Sequence, residues 1–197
     1  MEERKTIYLC LAHMSETGEE QKYVKEAFDT NWVVPLGPNV NGFEDDLKAF
    51  VSKNSDGSEL SREVVALSAG TAAVHLGLLA SGVGPGDEVC VQSFTFCASS
   101  HPITYLGATP VFIDSEPDSW NMDPELLEKA IIDRKEKTGK YPKAIVPVAL
   151  YGMPYDCDKI MAISEKYGIP VVEDAAGGCG SRWKGQVLGT FGKFGVL

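Results

Sequence analysis

Apolar positions along the chain follow two rhythms. Before residue 60 they recur at helical spacing: Tyr23, Val24, Ala27 and Phe28 within Glu19–Thr30, then Phe43, Leu47 and Phe50. Between them, Asn31 to Asn39 carries two prolines and a glycine and reads as a shaped loop. Lys53 to Arg62 is polar and reads as a surface turn. From residue 63 short β-branched runs alternate with helical segments. Strands are predicted at Val64–Leu67, Glu88–Val91, Thr109–Asp114, Ala144–Val148 and Ile169–Glu173, with helices at Thr71–Ala80, Thr95–Leu106, Pro124–Arg134 and Cys157–Tyr167. Gly82 and Gly168 close helices, and Asp123-Pro124 opens one as N-cap and first turn. This βα alternation predicts a three-layer α/β/α fold around a mainly parallel sheet. Two regions follow: an arm with helices over residues 1–60 and a large domain over residues 61–197.

Three stretches could carry chemistry. The apolar run ending in Val171-Val172-Glu173-Asp174 reads as a buried strand, which puts Asp174 at its carboxyl end. An acid there can pair with a cationic ring nitrogen, or simply cap the turn that follows. Ser68-Ala69-Gly70-Thr71 joins the first predicted strand to a helix. Backbone N–H groups at such a helix start suit a phosphate, with Gly70 permitting close approach and Thr71 adding a hydroxyl. It is not a Walker loop, because no Gly-Lys-Ser/Thr follows. Ser93-Phe94-Thr95-Phe96 follows the next strand at the same edge, where an aromatic can lie on a planar ring or fill the core. A phosphorylated aromatic cation satisfies all three stretches at once. His75 reads as packing, and His13, His101 and Cys179 carry no assigned role.

Composition narrows the classes. The 197 residues hold 18 Lys and Arg against 28 Asp and Glu, a net charge of −10, which is the wrong sign for a nucleic-acid binder. There is no apolar stretch long enough for a membrane span and no signal-like leader. Five scattered cysteines without a C-x-x-C pair point to a reducing cytoplasm, and to neither a disulfide framework nor a zinc site. The chain stops in Gly192-Lys193-Phe194-Gly195-Val196-Leu197, the opening of a further strand, so the expectation is a portion of a longer protein.

Ordered short matches run through the whole chain: Leu36-Gly37-Pro38, Gly70-Thr71-Ala72-Ala73, Gly84-Pro85-Gly86-Asp87-Glu88, Ser93-Phe94-Thr95-Phe96, Gly107-Ala108-Thr109-Pro110-Val111, Leu150-Tyr151-Gly152, Glu173-Asp174-Ala175-Ala176 and Gly189-Thr190-Phe191-Gly192. In these it resembles the DegT/DnrJ/EryC/StrS sugar-nucleotide aminotransferases. The wording from Ile7 to Gly37 is most similar to the branch that aminates UDP-4-keto-6-deoxy-N-acetylhexosamines. The resemblance implies the large domain of the pyridoxal-phosphate-dependent transferase fold I, incomplete at its C-terminus. It implies pyridoxal 5'-phosphate as cofactor, glutamate as amino donor, a nucleotide-linked keto sugar as acceptor, and a homodimer. Gly70 and Thr71 would hold the phosphate, Phe96 would stack on the pyridine ring, and Asp174 would bind its nitrogen. Gly177 stands where the family has Gln or Glu near the ring oxygen. The family's Schiff-base lysine falls beyond Leu197, and Lys193 sits in the wrong motif to replace it. Two other outcomes stay open: a pyridoxamine-phosphate-dependent sugar dehydratase of the same family, or a catalytically incompetent fragment.

Overall fold

The computed structural model describes residues 14–197, so the stretch from Ile7 to His13 lies outside the described residues. The chain divides into two compact units, one ending at Asp46 and the other running from Leu47 to Leu197. In the first, α1 (Glu19–Asp29) has the expected amphipathic pattern but buries none of its residues, leaving Tyr23, Val24 and Phe28 exposed. α2 (Pro38–Val51) begins in this unit and ends in the second.

The second unit is organised by a parallel sheet. β1 (Glu88–Gln92) lies between β2 (Thr109–Ile113) and β3 (Ala144–Val146). Single parallel bridges, Ile145 to Val171 and Val148 to Asp174, join β3 to β4 (Val172–Asp174). The small antiparallel hairpin of β5 (Arg182–Trp183) and β6 (Gln186–Val187) follows. The chain then returns as β7 (Phe194–Val196), parallel to β4. The order across the sheet is therefore β2-β1-β3-β4-β7.

Why the sheet is sandwiched follows from the period of two. Val89 and Val91, Ala144 and Val146, Val172 and Val196 face one side, where they pack with Val74 and Leu78 of α3 (Gly70–Ala80) and Ile103 of α4 (His101–Tyr105). Cys90, Ile145 and Val171 face the other, against Leu127 and Ile131 of α5 (Pro124–Thr138) and Ile160 and Ile163 of α6 (Cys157–Tyr167). Strands that are apolar on both faces require a helix layer on each. The expected three-layer α/β/α fold is the one observed.

The punctuation works as read. Asp123 caps α5 by accepting from the amides of Glu125 at 2.7 Å and Leu126 at 3.1 Å, and Gly168 ends α6 in the left-handed region. Two expectations need correction. Val64–Leu67 forms no strand, and Val65 and Leu67 are exposed; an apolar run becomes a strand only where a neighbour completes its ladder. The helix expected over Thr95–Leu106 is split into a 3₁₀ turn at Cys97–Ser99 and the short α4. Pro102 stands in the first turn of α4, where its missing N–H is tolerated, and it cannot sit inside a longer continuous helix.

Two outcomes test this packing. Ile145→Ala lowers unfolding stability by about 2–5 kcal/mol, because the site is closed on all sides, while Ile132→Ala on the exposed face of α5 costs far less; urea denaturation reads both. The buried Cys90, its thiol pushed up to about 12 by burial first and the Glu88 carboxylate second, stays unreactive toward a disulfide reagent in the folded chain. The exposed Cys97 and Cys179 react under the same conditions, which peptide mapping after labelling distinguishes.

Candidate functional site

β4 carries two acids in succession, and strand alternation sends them to opposite faces. Asp174 follows Val172 onto the α3/α4 side and is 7% exposed. Its Oδ2 accepts from Ser99 Oγ at 2.6 Å, and its Oδ1 accepts from the Ala176 amide at 3.3 Å. Since Ser99 commits its one proton to Asp174, Thr95 Oγ1, 2.8 Å away, is the donor to Ser99. A carboxylate offers about four acceptor positions, so Asp174 keeps capacity for a cationic N–H.

The start of α3 lies at the same edge. Ala69 is extended, α3 begins at Gly70, and no side chain caps the first turn. Its leading amides therefore point outward at the positive end of the helix. A Cβ placed on Gly70 would lie 3.9 Å from Val196 Cγ1, and Val196 is the register partner of Asp174. That distance leaves room for a side chain, so nothing within the chain's own packing demands glycine there. Thr71 follows in the first turn, half-buried. Phe96 precedes the 3₁₀ turn that brings Ser99 to Asp174, and its ring is 78% exposed rather than in the core. Phe94 leans on Trp120, ring centres 5.7 Å apart.

Gly177 belongs to a 3₁₀ turn, Ala176–Gly178, packed against the turn Leu150–Gly152. A Cβ on Gly177 would stand 3.3 Å from the Ala149 carbonyl oxygen, tighter than an ordinary contact. The glycine thus suits the close approach of the two turns. Beside it, Tyr151 holds a positive φ of 51° with its ring exposed.

Sequence reasoning assigned no role to four residues that build this edge. Ser99 carries no motif, and its partner is 75 residues away. Gln92, fully buried, accepts from Met122 N at 2.8 Å and donates to Phe94 O at 2.8 Å. Asn121, equally buried, accepts from Leu150 N at 3.0 Å and donates to Met153 O at 2.9 Å, tying loops from separate strands together. Glu173 is the fourth. A buried amide or acid in an apolar run is the one sequence signal all but Ser99 leave. His75 and His101 flank the Tyr105 ring, at 5.8 and 6.4 Å between centres.

The profile of the DegT/DnrJ/EryC1/StrS aminotransferase family matches residues 14–197. EpsN of Bacillus subtilis (strain 168), whose name places it provisionally among pyridoxal phosphate-dependent aminotransferases, is 48% identical over 193 residues, 98% of this chain and 47% of its own. A UDP-2-acetamido-2-deoxy-3-oxo-D-glucuronate aminotransferase of Pseudomonas aeruginosa is 44% identical over 151 residues, 77% of this chain and 38% of its own. The crystal structure of a DegT DnrJ EryC1 StrS aminotransferase from Brucella abortus superposes with a TM-score of 0.76 at 34% identity, over 91% of this chain and 48% of that one. This chain spans under half the length of each of these proteins. With the profile matched from Met14 to the last residue over an α/β fold of the same kind, the chain belongs to the DegT/DnrJ/EryC1/StrS aminotransferase family.

Proposed function

We propose that the complete protein is a pyridoxal-phosphate-dependent aminotransferase that moves an amino group from glutamate to a nucleotide-linked 4-keto-6-deoxy sugar, working in the cytoplasm as a homodimer for cell-surface glycan synthesis. The observation that carries the reading is Asp174: a nearly buried carboxylate at the carboxyl end of a parallel strand, oriented by Ser99 and still able to accept. Beside it stands a helix start without a side-chain cap. An anionic phosphate suits those amides, a cationic ring nitrogen suits Asp174, and an exposed Phe96 can cover a ring face, so the residues present fit the cofactor. When bound, pyridoxal phosphate supplies an electron sink for the carbon that gains or loses the amine.

The chain's own residues have distinct tasks in this reading. Gly70 and Thr71 hold the phosphate; Asp174 keeps a proton on the ring nitrogen; Ser99 and Thr95 keep Asp174 turned toward it. Gly177 leaves the neighbourhood of the ring oxygen without the hydrogen bond that a Gln or Glu would add, worth about 0.5–1.5 kcal/mol. The UDP-sugar named for the Pseudomonas relative supports a nucleotide-linked acceptor. The exposed Tyr23, Val24 and Phe28 of α1 support a partner chain. No helix among the described residues is long and apolar enough to cross a membrane.

Pyridoxamine 5'-phosphate tests the site without covalent attachment. Asp174→Asn raises its dissociation constant about tenfold to a hundredfold, the value of one hydrogen bond to a charged group, with little change in melting temperature. Calorimetric titration and thermal melting check this, and unaltered affinity would remove Asp174 from the ring nitrogen. Borohydride reduction of the chain with low excess pyridoxal 5'-phosphate leaves only scattered, substoichiometric labelling of surface lysines. A single stoichiometric adduct on Lys193, seen by mass spectrometry, would make that residue the attachment point.

A further inference from the structure

Glu173 has no exposed surface, and it lies on the face of β4 opposite Asp174. Among the described residues no cation bridges it; its partners are backbone amides. Oε2 accepts from Gly189 N at 2.9 Å, and Oε1 accepts from Phe191 N at 2.8 Å and Gly192 N at 3.0 Å. Two oxygens meeting three N–H groups fix a turn in both place and orientation, which apolar packing cannot do.

That turn leads straight into β7. It is closed by Thr190, whose hydroxyl donates to Val187 O at 2.6 Å and accepts from Gln186 Nε2 at 3.0 Å. A Cβ on Gly192 would lie 2.7 Å from Val171 O, and one on Gly195 would overlap the Gly189 carbonyl. The chain therefore folds back with no slack. β7 then runs in register with β4, Val172 opposite Phe194 and Asp174 opposite Val196, and Ala175 N donates to Val196 O at 2.9 Å. Val196 in turn faces Gly70. Tyr155 and Cys157, buried nearby, have their proton affinities pushed up by burial first and the Glu173 charge second, so both stay neutral beside the carboxylate.

We propose that Glu173 is the positioning residue of this site: through the Gly189–Gly192 turn it sets where the carboxyl end of β7 stands beside Asp174 and Gly70. It touches neither cofactor nor substrate. The proposal deepens the pyridoxal-phosphate reading and rests on it for its ligand arm.

Amide hydrogen exchange on the ¹⁵N-labelled 197-residue chain, together with pyridoxamine 5'-phosphate titration, tests it. In the wild type the amides of Gly189, Phe191 and Gly192 exchange slowly although they belong to no ladder; free exchange there overturns the proposal with no variant needed. Glu173→Gln keeps the size but sets an amide donor among three donors. Exchange at those amides and at Ala175 rises about tenfold or more, while Ile131 in α5 is unchanged, and the dissociation constant rises about tenfold. Unchanged exchange in the variant overturns the turn contact. Faster exchange with unaltered affinity reduces Glu173 to a local support and overturns its part in the site. A wild-type chain that takes up no pyridoxamine 5'-phosphate overturns the cofactor reading and with it this role, and the exchange data separate that failure from failure of the turn contact.

Discussion

Two carboxylates side by side at the carboxyl end of a buried strand are the constraint that the rest of this structure answers. Each would cost several kcal/mol to bury unpaired. Because a strand sends successive side chains to opposite faces, the two meet different surroundings. Glu173 is satisfied by three backbone amides of one turn. Asp174 is satisfied only in part, by Ser99 and Ala176. One acid is saturated and holds structure; its neighbour keeps acceptor capacity and is turned toward the edge where ligands bind in parallel α/β sheets.

The edge itself is assembled from short connections that would be mobile if left to themselves. Buried amides remove that freedom. Gln92 and Asn121 tie together the loops following β1, β2 and β3, each amide using both its donor and its acceptor. The cost of leaving any of those groups unpaired in the interior makes the arrangement close to unique. Glycines complete it where backbones touch: Gly177 against the Ala149 carbonyl, Gly192 against Val171. Rigid loops on a rigid sheet are what a site needs when it must hold a planar, charged ring at fixed orientation.

The helices divide the remaining work. α5 and α6 seal the far face, and α5 also holds the amino end of β1 through the ion pair of Arg134 with Glu88, at 2.8 Å. α3 seals the near face with Val74 and Leu78 and also presents its start to the edge. One helix thus serves both core and site, and its burial against Val172 and Val196 is what aims its amides beside Asp174.

Much of this was written in local pattern. Runs of β-branched residues and helical periodicity located β1 to β4 and α1, α2, α3, α5 and α6, because burial on two sheet faces or one helix stripe leaves a period in the chain. Glycine, proline and Asp123 marked their ends through backbone geometry, which is also local. The acid closing the last apolar run marked the edge of the sheet. What tertiary structure alone decided is pairing. Val64–Leu67 has the composition of a strand but no place in the ladder, and composition cannot name a partner. Thr95 to Leu106 reads as one helix until Pro102 and the hold of Ser99 on Asp174 divide it. Phe96 by its residue type reads more readily as core than as platform, and only the fold exposes it. Ser99 with Asp174, and Glu173 with a turn beyond residue 188, are contacts between segments far apart in sequence. Hydrogen bonds at that separation leave no period or spacing behind them, so the chain specifies them only by folding.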